Sequence, residues 1–239
     1  MQQIFKRREN VFEFESQITI DALIDVFNKG NYSELIIRDD LMNSKFINDI
    51  SFISQLPNLK VLAINCQCLK NYKPIAKLTN LETLRLIDAK DNLVDISNLN
   101  LTTIWVDDSR NIVGLDTCLK VEEFDSSEFN HFNFEALSNL VNLKKLVIHN
   151  SKIKNLKGLE NTKKLESIDF RGCTKLSDLS QVSGLPIKEV KFLECPKINI
   201  DALENLPELR KVRIVLCKLK VGFLKRLKWR FRLEECIIN

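Results

Sequence analysis

Glycine, proline and histidine are scarce in this chain of 239 residues, which contains 6, 5 and 2 of them. With so few glycines and prolines, we expect no long flexible linkers between folded parts. No stretch approaches about 18 uninterrupted apolar residues, so we expect no membrane-spanning helix. The first ten residues carry charges with no apolar run behind them, and so do not resemble a signal peptide. These absences predict a folded protein of the cytoplasm.

Catalytic motifs are missing as well. The sequence contains no glycine-rich phosphate loop, no G-x-S-x-G and no H-E-x-x-H. Cys66 and Cys68 are too close in sequence for a zinc-binding pair, and no second pair complements them. Glu123 and Asp125 can form an acid–base pair in principle, but such pairs belong in pockets that desolvate them. We therefore expect no catalytic residue, no metal site and no cofactor, and we predict that the chain is not an enzyme.

An internal repeat dominates the rest of the sequence. The frame apolar-x-x-apolar-x-apolar recurs at intervals of 27, 22, 20, 20, 22, 22, 22, 22 and 24 residues, beginning at Tyr32, Leu59, Leu81, Leu101, Val121, Leu143, Leu165, Ile187, Leu209 and Leu233. The second half of each unit carries apolar residues three apart, a spacing that suits a 3₁₀ turn better than a long α-helix. The pattern predicts a short strand, a turn and a compact return segment per unit, stacked into one solenoid.

Small side chains mark one further inward position, eight residues after the start of a frame. They are Ser109, Ser151, Cys173, Cys195 and Cys217. A small polar group there can hydrogen-bond the backbone of the turn and stack as a ladder. The chain has seven cysteines, an odd number, and most occupy core positions of the repeat. We interpret them as reduced, buried thiols of a cytosolic protein rather than as a disulfide framework.

These motifs resemble the leucine-rich repeat, whose signature is L-x-x-L-x-L-x-x-N/C-x-L. Leu165 to Leu176 follows the signature with Cys173 in the N/C position, and its last apolar residue falls one position late. The return segments, such as Asp178-Leu179-Ser180, are similar to the 22-residue subclass of internalins and phosphatase-regulator repeats. The resemblance covers roughly residues 32–239. It implies an α/β solenoid, a horseshoe with a curved parallel β-sheet on the concave face and short 3₁₀, helical or coil segments on the convex face.

The two ends depart from the repeat. Residues 1–31 predict an N-terminal cap, with a strand over Val11–Glu15 and a helix over Asp21–Lys29 that ends at Gly30. Residues 32–239 then form about ten repeats, the last of them a C-terminal capping repeat.

Charge is distributed unevenly along the chain. Ten basic and no acidic residues lie between Arg210 and Arg232, whereas residues 1–209 hold 26 basic and 30 acidic ones, a net charge of −4. Residues 222–232 are either the return helix of the last repeat with a solvated basic face, or a basic amphipathic helix that contacts nucleic acid or an anionic surface.

The predicted strands define an outward-facing surface. Because strand side chains alternate, frame positions 3, 5 and 7 should point away from the core onto the concave face. Trp105 occupies such a position near the middle of the array, and acidic residues surround it in the pattern: Asp107, Asp108, Glu123, Asp125 and Glu128. Either Trp105 is an aromatic anchor for a basic partner, or it packs under a neighbouring side chain and the carboxylates are merely solvated.

Five more polar residues on this surface are candidate partner contacts: His149, Asp169, Arg171, Lys191 and Arg213. With no carboxylate or nucleophile known beside it, His149 is interpreted as a polar contact and not as a catalyst.

The sequence favours a non-enzymatic protein–protein interaction module that is a monomer when free and binds a partner protein, of basic character, on its concave face. A cytoplasmic bacterial immunity protein that neutralises a toxin is one specific form of this hypothesis. One alternative is a regulatory subunit or scaffold for an enzyme such as a phosphatase. The other is nucleic-acid binding through the basic C-terminal segment, which predicts a steep salt dependence.

Overall fold

The computed structural model of the chain describes residues 10–13, 18–38, 49–67, 69–89, 92–218 and 235–238, the last four by their backbone. Two compact units are present. The first comprises residues 1–107 and 111–118, and the second comprises residues 108–110 and 119–239. The predicted division into a cap over residues 1–31 and a solenoid over residues 32–239 stays a prediction.

Parallel strands form the sheet of the first unit. Its strands follow one another in the order β1, β2, β3, β4 and β6, where β1 is Val11–Glu13, β2 is Glu34–Arg38, β3 is Val61–Asn65, β4 is Thr83–Ile87 and β6 is Thr103–Asp108. Two further strands, β5 (Val94–Asp95) and β7 (Ile112–Val113), pair with each other in the return segments.

The second unit repeats the same arrangement. Its parallel strands are β8 (Glu123–Glu128), β9 (Lys145–His149), β10 (Ser167–Arg171), β11 (Glu189–Leu193), β12 (Lys211–Val215) and β13 (Glu235–Ile238), in that order. Each residue pairs with the one a repeat later, so Ile168 lies opposite Val190 and Val190 opposite Val212. Side chains at the same frame position in successive repeats therefore line up in a column on one face of the sheet.

A short helix, α1 (Ile20–Lys29), follows the first strand. Thr19 begins it, because its side-chain oxygen accepts a hydrogen bond from the Ala22 amide at 3.3 Å, and the Gly30 amide closes it on the Val26 carbonyl. Leu23 and Phe27 on one face are buried. The predicted helix is confirmed. The strand predicted over residues 11–15 is found over residues 11–13, and residues 14 and 15 lie outside the described part of the chain.

Most of the described return segments contain short 3₁₀ turns, as the spacing of three predicted, whereas residues 92–100 and 151–164 form no 3₁₀ helix. The 3₁₀ turns span Ser51–Gln55, Lys73–Lys77, Ser109–Asn111, Leu115–Thr117, Glu135–Leu137, Ser180–Val182 and Asp201–Asn205. Their apolar side chains pack against the inward side chains of the strands, and residues such as Ile53, Leu137 and Leu203 have no exposed surface. The core thus lies between the sheet and the return segments.

An aspartate or asparagine side chain starts most of these return segments. Its oxygen accepts a hydrogen bond from the amide two residues later, at 2.9 to 3.2 Å, for Asp49, Asn71, Asp95, Asn133, Asn155, Asp178 and Asn199. These side chains satisfy an amide that the short turn, of 3₁₀ or other type, leaves without a backbone partner. The Asp-x-Ser segments of the sequence are thereby explained, and asparagine serves the same purpose in four other repeats.

Removing one of these oxygens should weaken the fold by a modest amount. Asp178 also accepts a hydrogen bond from Gln181, and the bonds from Gln181 and Ser180 lower the pKa of its carboxyl. We expect Asp178→Ala to reduce the free energy of unfolding by about 1 kcal/mol in urea titrations at pH 7, the usual cost of losing such a capping oxygen.

The charge on Asp178 gives this prediction a pH dependence. Because the folded-state pKa is below the unfolded one, the stabilisation by the ionised carboxylate is present above the unfolded pKa and is lost as the pH falls through the folded pKa. Asp178→Asn keeps an oxygen acceptor and should remain close to wild type at pH 7. Equal losses in the two variants at pH 7 would contradict the role given to the oxygen.

Four of the five small inward side chains form the expected ladder in the second unit. The fifth, the buried Ser109 hydroxyl, has no hydrogen-bond partner among the described residues. The thiols of Cys173, Cys195 and Cys217 donate to backbone carbonyls of the preceding strand at 3.5 to 3.8 Å, and the Ser151 hydroxyl donates to the Phe129 carbonyl at 2.6 Å. The three cysteines are free thiols. Only a reduced thiol has the proton that such a bond requires.

Candidate functional site

We call the side of each sheet that carries frame positions 3, 5 and 7 its outer face. On the outer face of the first unit, Arg85 of β4 lies opposite Trp105 of β6. The Arg85 guanidinium is 4.2 Å from the centroid of the Trp105 ring, and its Nη1 lies 3.6 Å from a carboxylate oxygen of Glu34. The indole is therefore covered on one side by a cation that also lies near the Glu34 carboxylate.

Trp105 remains accessible in spite of this cover. Its exposed fraction is 38%, and Ile87, two residues beyond Arg85 on β4, is 46% exposed. We call Arg85, Ile87 and Trp105 the tryptophan patch. Trp105 thus packs under a neighbouring side chain and still presents an aromatic surface to solvent, and its role as an anchor for a partner stays a prediction.

Asp107 forms a hydrogen bond within the first unit. Its carboxylate accepts a hydrogen bond from the Asp88 amide at 2.8 Å. Asp88 adopts a left-handed conformation with a φ of 59°, at the position where its repeat leaves the strand. In the second unit the equivalent amides donate to a main-chain carbonyl of the next repeat instead, at 2.8 to 3.0 Å, in Asn150 to Arg171, Gly172 to Leu193 and Glu194 to Val215. The Asp107 carboxylate therefore accepts the hydrogen bond that a main-chain carbonyl accepts at the equivalent turns of the second unit.

Asp108 is likewise bound within its own unit. The Arg110 amide donates to its carboxylate at 3.0 Å, the Arg110 guanidinium pairs with it, and Asn130 donates to it at 3.2 Å. Burial opposes ionisation of this carboxyl, but these hydrogen bonds outweigh it and the pKa of Asp108 is lowered. The carboxylate thus stabilises the turn after β6.

The other predicted carboxylates lie on the outer face of the second unit. Glu123 is 3.5 Å from the Lys145 ammonium, and Asp125 is 3.7 Å from Nε2 of His149. Burial raises the pKa of Asp125, although the charges of His149, Lys145 and Arg171 act in the opposite direction. Glu128 is exposed at the end of β8. His149 therefore has the carboxylate neighbour that sequence reasoning lacked, in a setting of ion pairs across neighbouring strands.

The remaining predicted residues form a small pocket on strands β10 to β12. Asp169, Lys191 and Arg213 lie opposite one another in register. Arg171 makes two parallel hydrogen bonds to Asp169, at 2.9 and 2.7 Å, and covers it so well that Asp169 is only 7% exposed. Their side chains line a pocket of about 180 Å³, together with Phe192, Leu193 and Val215. We call it the basic pocket.

Within the described ranges, no group of three or more histidine, cysteine, aspartate or glutamate side chains is arranged to hold a metal ion. The helix described there is also too short to cross a membrane.

Comparison with known proteins identifies the fold. Residues 141–228 match the family described as the Endo-beta-N-acetylglucosaminidase EndoS LRR domain. Internalin C2 from Listeria monocytogenes str. 4b F2365 superposes with a TM-score of 0.50 at 21% identity, over 87% of this chain and 80% of that one. This chain has the leucine-rich-repeat fold.

Further solved structures share this fold. An internalin (inlF) of the same Listeria strain gives a TM-score of 0.54 at 16% identity, over 95% of this chain and 73% of that one. The TLR13 chain of the TLR13–ssRNA13 complex gives 0.55 at 12% identity, over 87% of this chain but only 33% of that one. No curated protein sequence matches. The predicted solenoid of parallel strands and short 3₁₀ segments is confirmed.

Sequence reasoning did not single out Arg85 as the neighbour of Trp105, or Leu193 and Val215 as walls of the basic pocket. The signal was available, because Arg85 and Trp105 both occupy frame position 5, and Leu193 and Val215 both occupy position 7. Equal frame positions in consecutive repeats become neighbours in a parallel sheet. The basic segment over residues 222–232 lies outside the described residues.

Proposed function

We propose that this leucine-rich-repeat protein acts by binding a partner protein on its outer sheet face rather than by catalysis, with the tryptophan patch as a principal contact. The observation that carries the proposal is the 38% exposed Trp105 ring held under Arg85 on an open sheet. Tryptophan and arginine are the residue types most enriched among energetically dominant interface contacts.

The patch is also suited to binding because its two large side chains already contact each other. Arg85 lies 3.6 Å from the Glu34 carboxylate and covers one side of the indole, so part of the cost of placing these side chains is met within the chain. Immobilising a side chain with many rotamers costs about 0.5–1.5 kcal/mol on association. An aromatic and cationic pair already in contact therefore retains more of its contact energy as affinity.

The carboxylates around Trp105 in the sequence pattern support the proposal less than the tryptophan patch does, because most of them already interact with groups of the chain. Asp107 and Asp108 bind groups of their own turns, and Glu123 and Asp125 lie beside Lys145 and His149. A basic partner, a toxin-neutralising role, a phosphatase-type scaffold and nucleic-acid binding stay predictions.

We further propose a reducing, cytoplasmic location. The support is the ladder of Cys173, Cys195 and Cys217, whose thiols donate to main-chain carbonyls and so contribute hydrogen bonds in the reduced state.

Photo-cross-linking in the source cells, followed by a binding measurement, tests the proposed surface. p-Benzoylphenylalanine placed at Ile87 should cross-link the partner, whereas the same group at Phe132, an 87% exposed residue outside the strands, should not. The partner identified in this way is then titrated calorimetrically. Trp105→Ala should weaken its binding by about 30-fold or more, the effect of losing a dominant interface contact.

Phe132→Ala is the matched control, because it also removes an exposed aromatic ring. It should bind as wild type does. Wild-type affinity in Trp105→Ala, or equal cross-linking from the two positions, would reject the tryptophan patch as the contact surface.

A further inference from the structure

The basic pocket is a second feature of the outer face, and it has a chemistry of its own. Three cationic side chains, Arg171, Lys191 and Arg213, line it next to the apolar Leu193 and Val215. We propose that the basic pocket binds a single carboxylate side chain, of aspartate or glutamate, from the partner protein, with a neighbouring apolar residue of the partner packed on Leu193 and Val215. The inference rests on the proposed protein-binding function and adds the chemistry of one contact.

The hydrogen-bonding capacity of the cations supports an anionic occupant. Arg171 uses its Nε and Nη2 on Asp169, which fixes the guanidinium and leaves its other N–H groups free to donate. Arg213 is exposed and has no ion pair or hydrogen bond to any residue that the structure describes. A planar guanidinium that no described residue engages matches a carboxylate in two parallel hydrogen bonds.

The charge balance of the pocket favours a group with one negative charge. Among the described residues, the lining cations Arg171, Lys191 and Arg213 stand against one lining carboxylate, Asp169, and against Glu189, which pairs with Lys191 at 2.9 Å; these five side chains together carry +1. A carboxylate neutralises this excess. A phosphate carries about −1.5 to −2 at neutral pH, and Asp169 and Glu189 would repel it more strongly.

The size of the pocket favours a side chain over a cofactor. Its volume of about 180 Å³ is smaller than the ~300 Å³ at which sites for small-molecule ligands begin. The register of the strands places Lys191 and Leu193 on the central strand β11, with Arg213 and Val215 beside them on β12. Adjacent strands are about 4.8 Å apart, so one short side chain reaches the cations while its neighbour lies on the apolar pair.

Titration with short peptides tests the pocket directly. The probe is the capped tripeptide acetyl-Leu-Glu-Leu-amide, followed by the methyl resonances of Leu193 and Val215 in the full chain. We expect these resonances to shift with the glutamate peptide and to shift much less with the glutamine analogue. Arg213→Glu should weaken binding of the glutamate peptide about tenfold or more. The substitution removes a charged donor and adds a negative charge that repels the carboxylate of the peptide.

Lys211→Glu provides the matched control. Lys211 is an exposed cation on the same strand, two residues before Arg213, but it does not line the pocket. It should leave peptide binding within about twofold of wild type. Both substitutions lie on the exposed sheet surface, and circular dichroism checks that the variants fold.

Three outcomes would overturn the proposal: equal shifts with the glutamine peptide, tighter binding of inorganic phosphate than of the glutamate peptide, or an equal loss of affinity in Lys211→Glu and Arg213→Glu. None of these measurements involves Trp105 or the native partner. A failed peptide titration therefore does not affect the proposal for the tryptophan patch. Equally, wild-type partner affinity in Trp105→Ala does not affect the proposal for the basic pocket.

Discussion

Gly158→Ala should lower the free energy of unfolding by about 3 kcal/mol or more. Gly158 has a φ of 104°, which L-residues avoid, and a Cβ built there would lie 2.3 Å from both the carbonyl carbon and the oxygen of Phe134 in the preceding repeat. These are backbone atoms, held because the Phe134 amide donates to the Lys157 carbonyl at 2.7 Å. The left-handed conformation costs about 1–2 kcal/mol and overpacking about 1–3 kcal/mol more.

Gly184→Ala separates these two effects. Gly184 also has a left-handed φ, of 77°, but a Cβ there meets nothing within 4 Å. Its alanine variant should therefore lose only the conformational part, about 1–2 kcal/mol. Urea unfolding of both variants, followed by circular dichroism, measures the difference. If Gly158→Ala proves no less stable than Gly184→Ala, the repeats do not approach as closely at Phe134 as the structure indicates.

Phe170→Ala is the second change with a large expected effect, about 3–5 kcal/mol of unfolding free energy. Phe170 is fully buried in β10, and its ring lies 5.9 Å from that of Phe134 and 6.0 Å from that of Phe192. These rings continue a column that also includes Phe129, 4.9 Å from Phe134. Removing a central ring leaves a cavity flanked by two rigid aromatic side chains, and the surroundings can close it only in part.

Phe132→Ala again serves as the control. The Phe132 side chain is 87% exposed, so its loss should change stability by no more than about 0.5 kcal/mol. Thermal and urea unfolding of both variants provide the comparison. A loss below about 1 kcal/mol in Phe170→Ala would show that the aromatic column is loosely packed.

The sequence predicts the fold well because periodicity reports which residues face the core. Apolar residues at frame positions 4 and 6, such as Ile168 and Phe170, are buried, and the spacing of three becomes 3₁₀ turns in most of the described return segments. The asparagines that start several return segments carry a weaker signal. Asn155 and Asn199 act through one side-chain oxygen, and asparagine is common throughout loops.

The state of the outer face is harder to predict, because alternation gives the direction of a side chain but not what covers it. Asp169 points outward as predicted, yet Arg171, two residues later on the same strand, covers it. Trp105 also points outward, and Arg85 lies across it from the neighbouring strand. Long flexible cations can lie against several neighbours, and only the packed register decides which one they contact.

The carboxylate of Asp107 bears on how such a chain can change in length during evolution. Around Trp105 two repeats are two residues shorter than the usual 22, yet β4 and β6 still pair residue for residue. At this turn a side-chain oxygen supplies the acceptor that a peptide carbonyl supplies in longer repeats, so loss of residues there need not leave the Asp88 amide unsatisfied. Deleting one residue inside a strand would instead exchange its two faces and turn the following apolar side chains toward water. Turns of this kind are therefore where insertions and deletions should accumulate in related chains.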